Sequence, residues 1–301
     1  MVWSALLQQI QKGEQKAIAR GISLVENEVP GYEEFLQTLP DTSTPIIGIT
    51  GPPGAGKSTL VDALIEEQVR NGKKVAVLCV DPSSPFNLGA LLGDRIRMSE
   101  WYNHPNVFIR SLATRGSLGG LHPKIIEISE LLKAAPFDYI IVETVGVGQS
   151  EIEIAGLADV TVVVMVPEGG DEIQTMKAGL MEIADVFVVN KSDRPAADIF
   201  VRNLRQMMAP AFNKQEQEVP VIKTIASQKE GISELWLAIT SYLKQQQVPQ
   251  QKAWLFTERA FQLIQAKRMK DIDKKVLKEQ IERQLKNGSF NLYSFVRNII
   301  Q

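Results

Sequence analysis

The sequence predicts an α/β fold built on a doubly wound, mostly parallel sheet, with helical extensions at both ends. Seven short runs of apolar or β-branched residues follow Pro45, and none of them alternates with polar residues. Such runs are typical of strands that helices cover on both faces. Helical patterns separate the runs, which favours repeated βα units. The runs are PIIGIT, KKVAVLCV, NVFIRSLA, FDYIIVET, DVTVVVMV, DVFVVN and PVIKTIA.

Breaks in this pattern divide the chain into three segments. Residues 1–42 form an N-terminal helical extension, because apolar residues recur at helix-like intervals until Pro40 ends the pattern. Residues 43–246 hold the βα units, and the polar, proline-containing stretch QQQVPQQK closes them. Residues 247–301 form a C-terminal helical arm.

The arm carries an apolar stripe and an excess of basic residues. Leu277, Ile281 and Leu285 recur every fourth residue on one helix face. Residues 267–286 include eight basic and four acidic side chains. A solvated helix face is the simpler interpretation of this charge, and an acidic partner surface is the alternative. Such an arm more often packs on its own domain or on a second subunit than it performs chemistry.

The composition excludes several classes of protein. A formal net charge of −2 argues against a dedicated nucleic-acid binder. One cysteine and two histidines leave no basis for a disulfide framework or a Cys/His metal cluster. The sequence contains no apolar run of the roughly 18 residues that a membrane span needs, and its start lacks the pattern of a signal peptide. We therefore expect a cytoplasmic protein without a membrane partner.

The strongest motif is a phosphate loop between the first strand and the helix that follows it. Its glycines let the backbone wrap around a phosphate and turn N–H groups inward, and the helix N-terminus adds positive potential. The lysine supplies a charge to the β- and γ-phosphates, and the serine hydroxyl is a Mg²⁺ ligand. The predicted nucleotide-binding residues are Gly51, Pro52, Pro53, Gly54, Ala55, Gly56, Lys57, Ser58 and Thr59.

A second motif, Asn-Lys-Ser-Asp, predicts that the base is guanine. The Asp193 carboxylate can accept hydrogen bonds from the N1–H and the exocyclic amine, an arrangement that adenine lacks. Asn190 ties this loop to the phosphate loop, and the stem of Lys191 covers the base. After the last strand, the Ala226 N–H can meet the guanine O6.

Carboxylates that end strands are the candidate metal ligands. Glu143 closes an apolar strand, and we expect it to hold Mg²⁺ through water while the Gly146 N–H senses a γ-phosphate. Asp81 and Asp94 are the other acids placed to meet the metal, together with Ser58. Since such aspartates also cap helices and turns, the capping interpretation stays open for both of them.

Two further residues are candidates for the hydrolytic step. Gln149 follows Gly146 at a spacing that suits a residue that positions the attacking water, although it can equally cap the next helix. Lys177, after a glycine pair, can stabilise charge, and a solvent-facing lysine is the alternative. The candidate catalytic residues are Lys57, Glu143, Gln149 and Lys177.

With these motifs in place, the chain resembles the MeaB/ArgK GTPases, the methylmalonyl-CoA mutase-associated group that includes the methylmalonic aciduria type A protein. The resemblance extends from about residue 14 to the C-terminal arm. Its most diagnostic parts are VDPSSPFNLGALLGDRIRM and ETVGVGQSE, and it is supported by GPPGAGKST, PEGGDEIQTMKAG and VNKSD.

The resemblance implies a P-loop fold of the SIMIBI class and a homodimer. It also implies a slow GTPase, using GTP/GDP and Mg²⁺, that chaperones an adenosylcobalamin-dependent acyl-CoA mutase of the methylmalonyl-CoA mutase type and gates its cofactor loading, protection or reactivation. Asp81, Asp94 and Glu143 become metal-site and switch acids, and Lys177 becomes a switch residue in partner-stimulated hydrolysis. The stretch TIASQKEGI departs from the family, with Ile225 where serine is usual.

Three rival functions remain at this stage. A kinase of a lysine/arginine/ornithine transport system would need a site for the phosphate acceptor, and no segment of the sequence indicates one. A SIMIBI metallochaperone would need Cys/His clusters. A nucleotide-bound scaffold without hydrolysis is the third possibility.

Overall fold

The structure is a computed structural model of the chain, and its described residues are 3–81, 98–114, 121–144, 146, 150–167, 178–212, 219–245, 250–288 and 290–300. Within them, seven parallel strands form one sheet in the order β3-β2-β4-β1-β5-β6-β7. The strands are β1 (Ile46–Thr50), β2 (Val75–Asp81), β3 (Val107–Ala113), β4 (Tyr139–Glu143), β5 (Val160–Met165), β6 (Val186–Val189) and β7 (Val221–Lys223). Each strand falls within one of the predicted apolar runs, except that β2 extends one residue further, to Asp81.

Helices connect the strands and continue beyond the sheet at both ends of the chain. Across the described residues, none of them has both the length and the apolar composition needed to cross a lipid bilayer. The helices are α1 (Trp3–Gln11), α2 (Gln15–Glu26), α3 (Tyr32–Gln37), α4 (Lys57–Arg70), α5 (Ile125–Lys133), α6 (Ser150–Leu157), α7 (Ala178–Ile183), α8 (Ala197–Phe212), α9 (Ile232–Leu243), α10 (Gln250–Arg268), α11 (Lys274–Lys286) and α12 (Leu292–Ile300).

The central strands are buried on both faces, which confirms the predicted doubly wound sheet. On one face, Ile49 and Val77 pack with Leu60 of α4 and Leu235 of α9. The opposite face has its own cluster, in which Val163 and Phe187 pack with Phe200 and Leu204 of α8. Because both faces are covered, these strands read as continuous apolar runs.

Three aspartates at the amino edge of the sheet hold neighbouring strands in register. Each stands immediately before a strand and accepts a hydrogen bond from a backbone N–H on the adjacent strand or just before it. The pairs are Asp138 with Lys74, Asp159 with Ile46 and Asp185 with Thr161, at 2.8, 2.8 and 2.7 Å. We call them the edge aspartates.

The N-terminal helices pack against α5 and the outer strand β3. Gly21 of α2 lacks a side chain where a Cβ would lie 3.1 Å from both Ile10 and Leu131. The Arg110 guanidinium, on β3, donates to Glu26 Oε2 at 2.6 Å. These contacts make the extension part of the compact unit Met1–Ala253.

Most of the predicted arm falls in a second compact unit, Trp254–Gln301. Among its described residues, Leu255 and Phe295 are the buried apolar side chains. Many of its large apolar residues are exposed instead, namely Trp254, Phe256, Phe261, Ile264, Met269, Val276, Leu285, Leu292, Tyr293, Val296 and Ile299.

Candidate functional site

The phosphate loop joins the end of β1 to the start of α4 and depends on glycine. Gly51, Gly54 and Gly56 have positive φ angles of 138°, 77° and 87°, which residues with a Cβ rarely adopt. A Cβ on Gly51 would lie 2.1 Å from the Val164 carbonyl oxygen, and one on Gly56 would lie 2.4 Å from Asn190 Nδ2. Strand β5 and the loop that holds Asn190 thus contact this turn so closely that a side chain at either glycine would clash.

Lys57 begins α4 and places its ammonium group over the loop. Its Nζ donates to the carbonyl oxygens of Gly51 and Pro52, at 2.9 and 3.1 Å, and the residue is only 6 % exposed. The N-terminus of α4 adds its own positive potential at the same place. Pro53, Gly54 and Thr59 face solvent around this positive centre. The arrangement suits the phosphate chain of a nucleotide.

Candidate oxygen ligands for a divalent cation lie beside the loop. Ser58 Oγ donates to Glu143 Oε1 at 2.7 Å, and these residues are 7 % and 4 % exposed. Glu143 is in register with Cys79, so Asp81 lies two residues further along the same face of the sheet, and it is buried. A hydroxyl and two buried carboxylates form a hard oxygen set that fits Mg²⁺. Asp94 lies outside the described residues.

Gly146 follows Glu143 and lies against the phosphate loop. Its φ is +85°, and a Cβ there would be 2.5 Å from the Gly51 carbonyl oxygen and 2.6 Å from Lys57 Nζ. The structure therefore brings the predicted γ-phosphate sensor to the phosphate loop. Gln149 and Lys177 lie outside the described residues.

At the base end of the site, buried Asn190 joins three loops. Its Nδ2 donates to the Ala55 carbonyl oxygen at 2.8 Å. Its Oδ1 accepts from Thr224 Oγ1 and from the Ala226 N–H, both at 3.1 Å. The link between the base loop and the phosphate loop is thus present, as the sequence predicts. Thr224, which the sequence analysis did not identify, completes it.

The three residues predicted to contact the base are Lys191, Asp193 and Ala226. Lys191 has a φ of +56°, and its Nζ donates to the Gly54 carbonyl oxygen at 2.7 Å. Asp193 is exposed beside it. The Ala226 N–H, expected to meet a guanine O6, donates to Asn190 here.

A pair of threonines next to the loop was missed by sequence reasoning. Thr50 Oγ1 and Thr144 Oγ1 are 2.9 Å apart, and both residues are buried. The pairing depends on which strands are neighbours, so no local signal reveals it. Trp101 is similar, since its Nε1 donates to Asp62 Oδ1 of α4 at 2.7 Å.

Comparison with known proteins identifies the family. The model of the methylmalonyl Co-A mutase-associated GTPase MeaB matches residues 18–283. The GTPase ArgK of Escherichia coli is 38 % identical over 269 residues, covering 83 % of this chain and 81 % of its own. The mitochondrial methylmalonic aciduria type A homolog of Mus musculus is 36 % identical over 245 residues, covering 75 % and 59 %.

A solved structure supports the same assignment. The crystal structure of LAO/AO transport system kinase superimposes with a TM-score of 0.67 at 28 % identity, covering 98 % of this chain and 95 % of that one. Fold, phosphate loop and sequence similarity thus agree. The chain belongs to the MeaB family of methylmalonyl Co-A mutase-associated GTPases, and it is a P-loop enzyme that hydrolyses GTP.

Proposed function

We propose that the protein is a GTP-hydrolysing chaperone of an adenosylcobalamin-dependent acyl-CoA mutase, of the methylmalonyl-CoA mutase type, and that its nucleotide state gates cofactor loading, protection or reactivation. The family match over residues 18–283 carries this proposal, because the family is described by its association with that mutase. The name of the mouse relative supports the same partner class.

Hydrolysis of GTP needs mainly positioning and charge neutralisation, since phosphoryl transfer asks for little covalent chemistry from the protein. Lys57 would turn from the carbonyl oxygens of the loop to the β- and γ-phosphates. Ser58, Asp81 and Glu143 would hold Mg²⁺, directly or through water. When bound, the cation neutralises charge that develops on the phosphate oxygens. The Gly146 N–H would hold the γ-phosphate oxygen.

Guanine selection would rest on the exposed Asp193 carboxylate, which accepts from both N–H groups of the guanine edge. Asn190 would act by holding the loops together, a role that its three hydrogen bonds support. For Ala226 to meet the guanine O6, its N–H would be shared between that oxygen and Asn190 Oδ1.

The remaining switch residues stay part of the proposal on sequence grounds. Asp94 would join the metal site, Gln149 would orient the attacking water, and Lys177 would stabilise charge in the hydrolysis that the partner stimulates. We propose slow turnover for the isolated protein on the same grounds.

A homodimer held by the arm is the proposed assembly. Large apolar side chains are exposed on its helices, for example Phe261 at 63 % and Tyr293 at 84 %. Exposed apolar surface of this extent is a feature of protein interfaces. A second copy of the arm offers the same surface and can cover it isologously.

Phosphate release from GTP, with and without the mutase from the same organism, tests the proposal. Stimulation of several-fold is expected, with ATP inactive, and Lys177→Ala is then expected to lose the stimulation while it retains basal turnover. GTP turnover that no such mutase changes would contradict the partner. ATP turnover equal to that of GTP would contradict the role of Asp193.

The similarity to the LAO/AO transport system kinase makes a phosphotransferase the second candidate. That function requires transfer of the γ-phosphate to a protein acceptor instead of water. Incubation of γ-³²P-labelled GTP or ATP with a periplasmic-type binding protein distinguishes the two, since the GTPase proposal predicts label only in free phosphate.

A further inference from the structure

Two threonine hydroxyls form a buried hydrogen bond where β1 and β4 end. Thr50 is the last residue of β1 and is 0 % exposed, and Thr144 follows β4 and is 2 % exposed. Their Oγ1 atoms are 2.9 Å apart, and either can be the donor. The strands are also joined here by the Thr144 N–H, which donates to the Ile49 carbonyl oxygen at 3.0 Å.

Each threonine is the sequence neighbour of a residue in the proposed hydrolytic site. Thr50 precedes Gly51, whose carbonyl oxygen accepts from Lys57. Thr144 follows Glu143, whose carboxylate accepts from Ser58. The hydrogen bond between the two hydroxyls therefore connects the residue before the phosphate loop to the residue after Glu143.

The pair lies on the face of the sheet opposite to the metal ligands. Side chains alternate along a strand, so Thr50 shares its face with Gly48, against which Ile154 of α6 packs. Glu143 is in register with Ile49 and lies on the other face, toward Ser58. The threonines are thus placed to act on the site through the backbone, without touching nucleotide.

We propose that Thr50 and Thr144 are positioning residues for GTP hydrolysis, and that their hydrogen bond sets the separation between the phosphate loop and Glu143. A small displacement of the end of β1 relative to the end of β4 moves the Glu143 carboxylate away from Ser58. Such a misplacement lowers the rate of a reaction that depends on positioning. The inference rests on the Mg²⁺ site of the proposed function and is independent of any mutase.

Valine substitutions separate positioning from stability. Thr50→Val or Thr144→Val leaves one buried hydroxyl without its partner, which destabilises the fold. The double variant removes both hydroxyls at nearly constant shape, so its thermal stability should return close to that of the wild type. A positioning role predicts that hydrolysis does not return with it.

The experiment measures kcat, KM for GTP and the Mg²⁺ concentration for half-maximal rate, without a mutase. We expect all three variants to lose about tenfold in kcat with KM nearly unchanged, and to need several-fold more Mg²⁺. Thr50→Ser and Thr144→Ser keep the hydroxyl and should stay within about twofold of the wild type.

A stable double variant with wild-type kcat and Mg²⁺ response would overturn the inference. If the valine variants do not fold, Thr144→Cys is measured in their place and compared with Thr144→Ser, since both lack the methyl group and only the cysteine replaces the hydroxyl by a weakly hydrogen-bonding thiol; the expected and overturning results are the same. Wild-type hydrolysis that is indifferent to Mg²⁺ would instead contradict the proposed metal site.

Discussion

At the scale of single residues, glycine is required where loops touch. Gly146 approaches the Gly51 carbonyl oxygen and Lys57 Nζ so closely that even one methyl group has no room. Gly72 is a useful contrast, because it has a similar positive φ of +70° but open space around it. The spacing in the sequence was enough to predict that the Gly146 N–H contacts the γ-phosphate. The close contact that requires glycine at this position is visible only in the structure.

Substitution of Gly146 by alanine tests this contact. We expect kcat for GTP to fall by about 100-fold, because the methyl group displaces Lys57 or the phosphate loop. Gly72→Ala carries a comparable backbone strain of roughly 1 kcal/mol without the clash, and should leave kcat unchanged. Equal kcat values in the two variants would contradict the proposed role of the contact.

Asp193→Asn tests base selection. The amide offers one acceptor and one donor where the carboxylate offers two acceptors, so GTP affinity should fall by at least about 100-fold. Xanthosine triphosphate carries an oxygen in place of the guanine amine and should bind better to the variant than to the wild type. Calorimetric titration measures both nucleotides. Asp198→Asn, an exposed position on α8, is the control, and equal losses in both variants would count against Asp193.

At the scale of elements, the edge aspartates connect strands that are neighbours in the sheet, and the sequence does not reveal which strands are neighbours. Asp138, Asp159 and Asp185 each precede an apolar run, a pattern visible in the sequence. Their acceptor role depends on the neighbouring strand, which comes from a distant part of the chain.

The environments of the edge aspartates differ as well. Burial would raise the pKa of Asp138, but the Lys74 amide and the Lys73 ammonium hold it below its ordinary value. Burial raises the pKa of Asp185.

These opposite shifts predict opposite effects of acid on stability. A carboxyl whose pKa is lowered by folding stabilises the protein above its ordinary pKa of 3.8 and loses that contribution as the pH falls through the lowered value. Asp138→Asn should therefore be less stable than the wild type at pH 7, with the difference vanishing on acidification. For Asp185 the effect of acid is the opposite. Folding raises its pKa, so the ionised carboxylate destabilises the folded protein, and protonation removes that destabilisation as the pH falls.

Urea denaturation at several pH values between about 7 and 2 measures the Asp138 effect. Asp41→Asn, at an exposed position before β1, is the control for the loss of one carboxylate charge. A stability difference for Asp138→Asn that stays constant over the whole range would show that its charge is not involved.

The fold class was predictable from local pattern, and the packing of the N-terminal helices was not. Strand runs such as PIIGIT and DVTVVVMV reveal burial on both faces without knowledge of their neighbours. By contrast, α2 is fixed by Leu131 and Arg110, about a hundred residues away. The candidate site divides in the same way. Lys57, Ser58 and Asn190 belong to continuous motifs, while the Thr50–Thr144 pair exists only through strand pairing.

At the scale of the whole molecule, the two compact units have different amounts of buried apolar surface. The unit Met1–Ala253 has two large apolar clusters around its sheet. Among the described residues of Trp254–Gln301, few apolar side chains are buried and many are exposed. A dimer through the arm would cover that surface.

Replacement of Phe261 and Ile264 by glutamate tests the dimer. These residues lie three apart on α10 and are both exposed, so the charges should disrupt an apolar interface without harming the arm helix. Analytical ultracentrifugation should show a dimer for the wild type and a monomer for the variant, with basal GTP hydrolysis retained. Gln262→Glu on the same helix is the control and should remain dimeric. A monomeric wild-type protein would contradict the proposal.

Transfer of adenosylcobalamin to the apo-mutase tests the chaperone role most directly. The cofactor's visible spectrum reports its binding while the GTPase is supplied with GTP, GDP or a non-hydrolysable analogue. The account predicts that the rate of loading depends on the nucleotide, by several-fold between GTP and the analogue. Loading that proceeds at one rate with every nucleotide, and equally without the GTPase, would contradict it.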